Sequence, residues 1–154
     1  MLFIIIIILV AASFIFEAFL EYLNSTKRSS TLPEELKGIY DEDKYRKSID
    51  YEKVKQRFSL TRGLFSLLLI LGMLVFGGFA IADGLARQVT SNPVMIALVF
   101  FGMIMLASDI LHLPFDWYGT FVIEERFGFN RSTPRIFITD KIKGWLLGLI
   151  IGGG

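Results

Sequence analysis

The chain has 154 residues, 53% of them hydrophobic, with a mean hydropathy of +0.56 and only 20% charged residues, so its charge is concentrated in a few places. That is the composition of a polytopic membrane protein, and it predicts an all-α transmembrane helix bundle. A net charge of +1 gives no case for nucleic-acid binding, and the absence of cysteine removes a disulfide framework, a thiolate metal site and a cysteine nucleophile.

In chain order, apolar runs predict three complete spans, at about residues 2–21, 62–83 and 93–113, and the start of a fourth at 144–154. The first run lacks a basic leader and stays apolar past Ser13, so it reads as a spanning helix rather than a signal peptide. The fourth is too short to cross the hydrocarbon, so the chain is expected to be truncated inside it. A re-entrant or surface-lying end is the alternative.

The loops differ in basic content. Residues 24–62 hold ten Lys and Arg, residues 83–93 hold only Arg87, and residues 114–144 hold five. The positive-inside pattern therefore predicts an outside or lumenal N-terminus and cytosolic loops at 24–61 and 114–143.

Within the first loop, Thr31-x-x-Glu34 predicts a capping box, with Pro33 in the first turn of a short helix through Leu36 and Tyr40. A second helix is predicted from about Asp43 to Phe58, with Tyr51, Val54 and Phe58 on one face and Tyr45 and Ile49 widening it. It reads either as a surface helix on its own protein or as the frame of a cytosolic site. In the second span Gly78-x-x-x-Ala82 lets another helix come close. Asp83 and Arg87 are spaced for an exposed ion pair. Asn92-Pro93 caps the third span, and Pro114 is expected to end it. Beyond it, Phe115, Trp117, Tyr118 and Phe121 form an aromatic belt, Gly128 supplies a turn, and Thr133-Pro134 restarts the chain.

Ionisable residues gather near the cytosolic ends of the spans: Glu17 and Glu21 in the first, Arg62 at the entry to the second, Asp109 and His112 in the third. Such groups rarely face lipid, so these five are candidates for the wall of a polar chamber open to the cytosol. Interfacial snorkelling with one or two structural pairs is the alternative. His112 is the only histidine, so it is read as structural rather than as a metal ligand. There is no HExxH, nucleophile elbow, P-loop or GxGxxG, so no catalytic centre is recognisable in these residues.

Ordered motifs carry a resemblance. Leu32-Pro33-x-x-Leu36 precedes Tyr45-x-Lys47-Ser48, Tyr51 and Phe58-Ser59. Leu113-Pro114-Phe115, Tyr118-x-Thr120-Phe121-Val122-Ile123-Glu124-Glu125 and Phe127-Gly128-Phe129-Asn130 come later in the chain. The set resembles the membrane region of the CAAX prenyl protease 1 family and its prokaryotic relatives, integral-membrane zinc metallopeptidases of the gluzincin type. The resemblance implies a ring of helices around a water-filled chamber and a zinc site held by HExxH and a downstream glutamate, all beyond residue 154. It implies that residues 1–154 are the N-terminal membrane domain of a longer metalloprotease, inactive alone, without a cofactor of their own. It also implies zinc in the parent and, as partners, the bilayer, the missing catalytic part and a peptide or protein substrate. A prokaryotic homologue is expected, which favours a bacterial inner membrane over the endoplasmic reticulum. A non-enzymatic helix-bundle scaffold and a small transporter are the competing readings. The transporter lacks the broken-helix pairs and repeat symmetry that would support it.

Overall fold

The computed structural model describes residues 1–26 and 41–153. Pro33 and the capping box, short helix and LPxxL motif around it lie outside the described residues. The described residues are helical and contain no strand. The fold is therefore an all-α membrane helix bundle. Three helical stretches, Leu2–Ser25, Glu42–Val75 and Pro93–Phe127, are long and apolar enough to cross a membrane.

Helix α1 (Leu2–Thr26) is apolar around most of its circumference and exposes large side chains such as Ile4, Leu9, Ile15 and Phe19, as a lipid-solvated helix does. Two contacts fix its register on the next helix. The Phe14 ring lies over Gly63, where a Cβ would meet the ring at 3.1 Å, and the Gln56 side-chain amide donates to the Glu21 carbonyl at 2.7 Å. Seven residues separate the contacts on both helices (14 to 21, 56 to 63), so the two run antiparallel.

Helix α2 (Glu42–Val75) spans 34 residues without a break. The expected surface helix and second span are one element. Asp41 caps it, its carboxylate accepting from the Asp43 and Lys44 N–H groups at 3.0 and 3.4 Å. No proline interrupts residues 42–75, so the change from amphipathic to apolar composition near residue 60 leaves the backbone helical. The break comes instead at Phe76-Gly77, inside the expected span. Gly77 is left-handed (φ 69°) and begins a new helix, α3 (Gly78–Val89).

Helix α3 lies against α4 (Pro93–Tyr118), burying Ala82 and Ala86. Of the pair expected to allow close approach, Ala82 is buried, while Gly78 lies beside Met73 of α2. The Asn92 side chain accepts from the Val94 and Met95 N–H groups at 2.9 and 3.3 Å, with Pro93 at the first helical position.

Pro114 does not end this helix; it lies inside it. The missing N–H costs one backbone hydrogen bond there, and the chain continues helically into a π-helical turn, Gly119–Glu124. The wider turn rotates the residues beyond it, and Ile123 and Phe127 are buried. The short helix α5 (Glu125–Phe127) closes on Gly128 (φ 74°), whose N–H donates to the Glu125 carbonyl at 3.0 Å. The Phe129 and Asn130 N–H groups both reach the Glu124 carbonyl, and the Asn130 side chain bonds the Glu125 carboxylate at 2.8 Å.

Helix α6 (Pro134–Gly153) starts ten residues before the expected fourth span. Thr133 Oγ1 accepts from the Ile136 N–H at 3.3 Å and Pro134 opens the helix, a start signal independent of hydropathy. Trp117, Phe121 and Phe137 cluster at the base of α6, with ring centroids 4.4–5.7 Å apart, and Gly148 lets Met105 come close.

Candidate functional site

On α2, polar side chains recur at Lys55, Ser59, Arg62 and Ser66; on α4 and the π-turn they recur at Asp109, His112, Asp116 and Thr120. Steps of three and four residues put each set on one helical face. The fold turns these faces toward each other. Arg62 Nη2 pairs with Asp116 at 2.8 Å, and Ser66 Oγ meets His112 Nε2 at 2.8 Å.

Helix α6 closes the seam. Lys141 Nζ donates to Asp109 at 2.6 Å and to Asp116 at 2.7 Å, and Trp145 Nε1 donates to the other oxygen of Asp109 at 2.7 Å. Two cations and two carboxylates thus form a neutral cluster that ties three helices together. An ion removed from water is tolerated only with such a full set of partners. Among the described residues no buried side-chain nitrogen or oxygen lacks one.

His112 is held from both sides. The Ser108 carbonyl, 2.7 Å from Nδ1, can only accept, so Nδ1 carries a proton. In the neutral ring Nε2 then accepts from the Ser66 hydroxyl. That hydroxyl also lies 3.0 Å from the Arg62 carbonyl, and its single proton serves one acceptor at a time.

Two cavities flank Arg62. One, of about 370 Å³, is lined by Arg62, Ser66, Met105, Ser108, Asp109 and His112. The other, of about 400 Å³, lies between α2, the π-turn and α6, with Lys55, Ser59, Thr120 and Glu124 among its lining residues. The structure therefore brings Arg62, Asp109 and His112 of the expected chamber wall together. Glu17 is exposed and Glu21 half-buried on α1, and neither carboxylate lines these cavities.

Of the motif residues, Phe58, Ser59, Phe115, Thr120 and Glu124 line the larger cavity, and a second group assembles at the end of α2 near Asp41. Tyr51 makes edge contacts with Phe127 and Phe129, centroids 5.3 and 4.8 Å apart, and Lys47 Nζ lies 6.0 Å from the Phe129 ring centroid. Tyr45 is half-buried and Ser48 exposed on the same helix, Gly128 closes the turn, and Asn130 holds Glu125.

Asp116, Lys141, Trp145 and Ser66 were not anticipated. The spacing of Asp109 and Asp116 on one face, and of Lys141 and Trp145 on another, was the available signal. No group of three His, Cys, Asp or Glu among the described residues could hold a metal ion, and both nitrogens of His112 are engaged. The seam does not fit zinc.

The family described as CAAX prenyl protease N-terminal, five membrane helices, matches residues 21–154. The chain belongs to this family. It is 33% identical to CAAX prenyl protease 1 of Saccharomyces cerevisiae over 153 residues, covering 92% of this chain and 34% of the yeast protein. It is 34% identical to the CAAX prenyl protease 1 homolog of Arabidopsis thaliana over 148 residues, covering 90% of this chain and 35% of the plant protein. The crystal structure of S. mikatae Ste24p superposes with a TM-score of 0.86 at 30% identity, over 98% of this chain and 37% of that one. The chain thus spans about a third of the length of the relatives it matches, corresponding to their N-terminal membrane region.

Proposed function

We propose that this chain is the N-terminal membrane domain of an integral-membrane zinc metalloendopeptidase acting on membrane-associated peptides or proteins. The observation that carries this reading is a match over nine-tenths of the chain to about a third of each CAAX prenyl protease. Zinc would be held by residues outside 1–154, since the seam offers no ligand set. The role of the present residues is architectural and electrostatic. They supply a polar wall along α2, α4 and α6, within helices that are otherwise lipid-solvated.

The proposed orientation has the N-terminus outside or lumenal, with the Tyr51–Phe129 junction in the cytosol. It is supported by the ten basic residues between 24 and 62 against the single Arg87 between 83 and 93. The cysteine-free chain makes the test direct. Single cysteines at Ser48 and Gln88 should react with an impermeant maleimide from opposite sides of the membrane, and labelling of both from one side overturns the orientation. For the activity, the full reading frame with zinc should cleave peptides that residues 1–154 alone leave intact. Zinc-dependent turnover by residues 1–154 alone would sink the proposal.

A further inference from the structure

The 400 Å³ cavity between α2 and the π-turn is of ligand-pocket size and lies beside the ion cluster rather than inside it. Its floor is apolar, built by Phe58, Phe115, Ile123 and Phe137. Its walls carry donors and acceptors on both sides: Lys55 and Ser59 on α2, Thr120 and Glu124 on the π-turn. Arg62 and Lys141 at its inner end are already matched by Asp116 and Asp109. At its outer end, neither Lys55 nor Glu124 has an ion-pair partner among the described residues, although Lys55 Nζ lies 5.4 Å from the Tyr51 ring centroid.

This lining selects against simple occupants. An anion would meet Asp116 and Glu124, and a cation would meet Lys55 and Arg62. An acyl chain would cover hydroxyls and charges without bonding them, which is unfavourable for each group so covered. A neutral chain that offers N–H and C=O groups on both edges and apolar side chains on one face matches walls and floor together. An extended polypeptide has that chemistry.

We propose that the cleft between α2 and the π-turn is a main-chain clamp for an extended peptide segment. Ser59 and Thr120 grip the backbone, and Glu124 and Lys55 accept from and donate to it at the mouth. The proposal rests on the peptidase reading and adds to it a main-chain contact made by residues of this chain. It makes binding sequence-tolerant, because the walls meet the backbone and only the floor meets side chains.

The test uses the full-length protein in lipid nanodiscs and a fluorescein-labelled alanine–serine decapeptide, followed by fluorescence polarisation. A second decapeptide is N-methylated at alternate residues, which removes donors and keeps the side chains. The unmethylated peptide should bind about tenfold more tightly, the equivalent of one or two lost hydrogen bonds. Ser59→Trp and Thr120→Trp, which fill the cleft from opposite walls, should each weaken binding about fivefold or more. Arg135→Ala, outside the cleft, should leave it unchanged. The milder Thr120→Val and Glu124→Gln should weaken it about two- to threefold and serve if a tryptophan variant fails to fold. Equal affinity for the two peptides, or binding indifferent to all four cleft variants, overturns the clamp. Competitive displacement of the peptide by a fluorescent phosphatidylcholine assigns the cleft to lipid and also overturns it. Peptide binding of the expected kind without zinc-dependent cleavage leaves the clamp standing and removes the peptidase reading.

Discussion

Helix α2 meets the later part of the chain twice, once at the turn after α5 and once at α4 and α6, and the two junctions are built from opposite materials. Near Asp41 the contact is aromatic: Tyr51 against Phe127 and Phe129, closed by a left-handed glycine at residue 128. Deeper along the same helix it is ionic: Arg62, Asp116, Lys141 and Asp109, with Ser66 and His112 one turn further. In the proposed orientation the aromatic junction faces water, where apolar burial drives association. The ionic one lies where lipid tails are as apolar as any side chain, so hydrogen bonds and charge supply what burial does not.

The sharpest way to break the comparison is to remove the carboxylate shared by Arg62 and Lys141. Asp116→Ala should destabilise the protein by about 2–4 kcal/mol. The value for breaking a buried pair is discounted because Arg62 is 43% exposed. Asp116→Asn, which keeps an acceptor, should cost about half as much, and SDS titration from mixed micelles reads both. Tyr51→Ala should cost about 2 kcal/mol through two lost ring contacts, with Tyr51→Phe nearly neutral. Its effect should depend little on salt, and equal salt sensitivity of the two variants would erase the distinction between the junctions. Gly128→Ala should cost about 1–2 kcal/mol from positive φ alone, since a Cβ there meets only Lys47 Nζ at 3.7 Å. Arg87→Ala removes an exposed i,i+4 pair and should not shift the unfolding midpoint.

What was legible in the sequence was local. Asn92-Pro93, Thr133-Pro134 and Asp83 with Arg87 are signals a few residues long, and each is present in the structure as its chemistry requires. The continuity of α2 was hidden because hydropathy changes near residue 60 while helical geometry does not. Pro114 misled because its local preference to stop a helix is weaker than the contacts on either side of it, from His112 and Phe115 to Asp116 and Trp117. At the candidate site, Arg62, Asp109 and His112 were found from charge in an apolar setting. Asp116 was passed over as part of a loop, and Lys141 pairs with it across 25 residues, a distance fixed only by how α6 crosses α4. Glu17 and Glu21 carry the same signal of charge near a span end, yet neither joins the seam.

The unbroken length of α2 has a mechanical consequence. At 1.5 Å per residue its 34 residues form a rod about 50 Å long, well beyond the roughly 30 Å of a hydrocarbon core. The ion cluster grips that rod at Arg62, about 30 Å from the end at Glu42. Pivoted there, a tilt of five degrees would swing the Glu42 end by about 2.6 Å, close to half a helical turn. A rod gripped at depth is a lever, and a push on the aromatic junction at Tyr51 would arrive at Arg62 as torque.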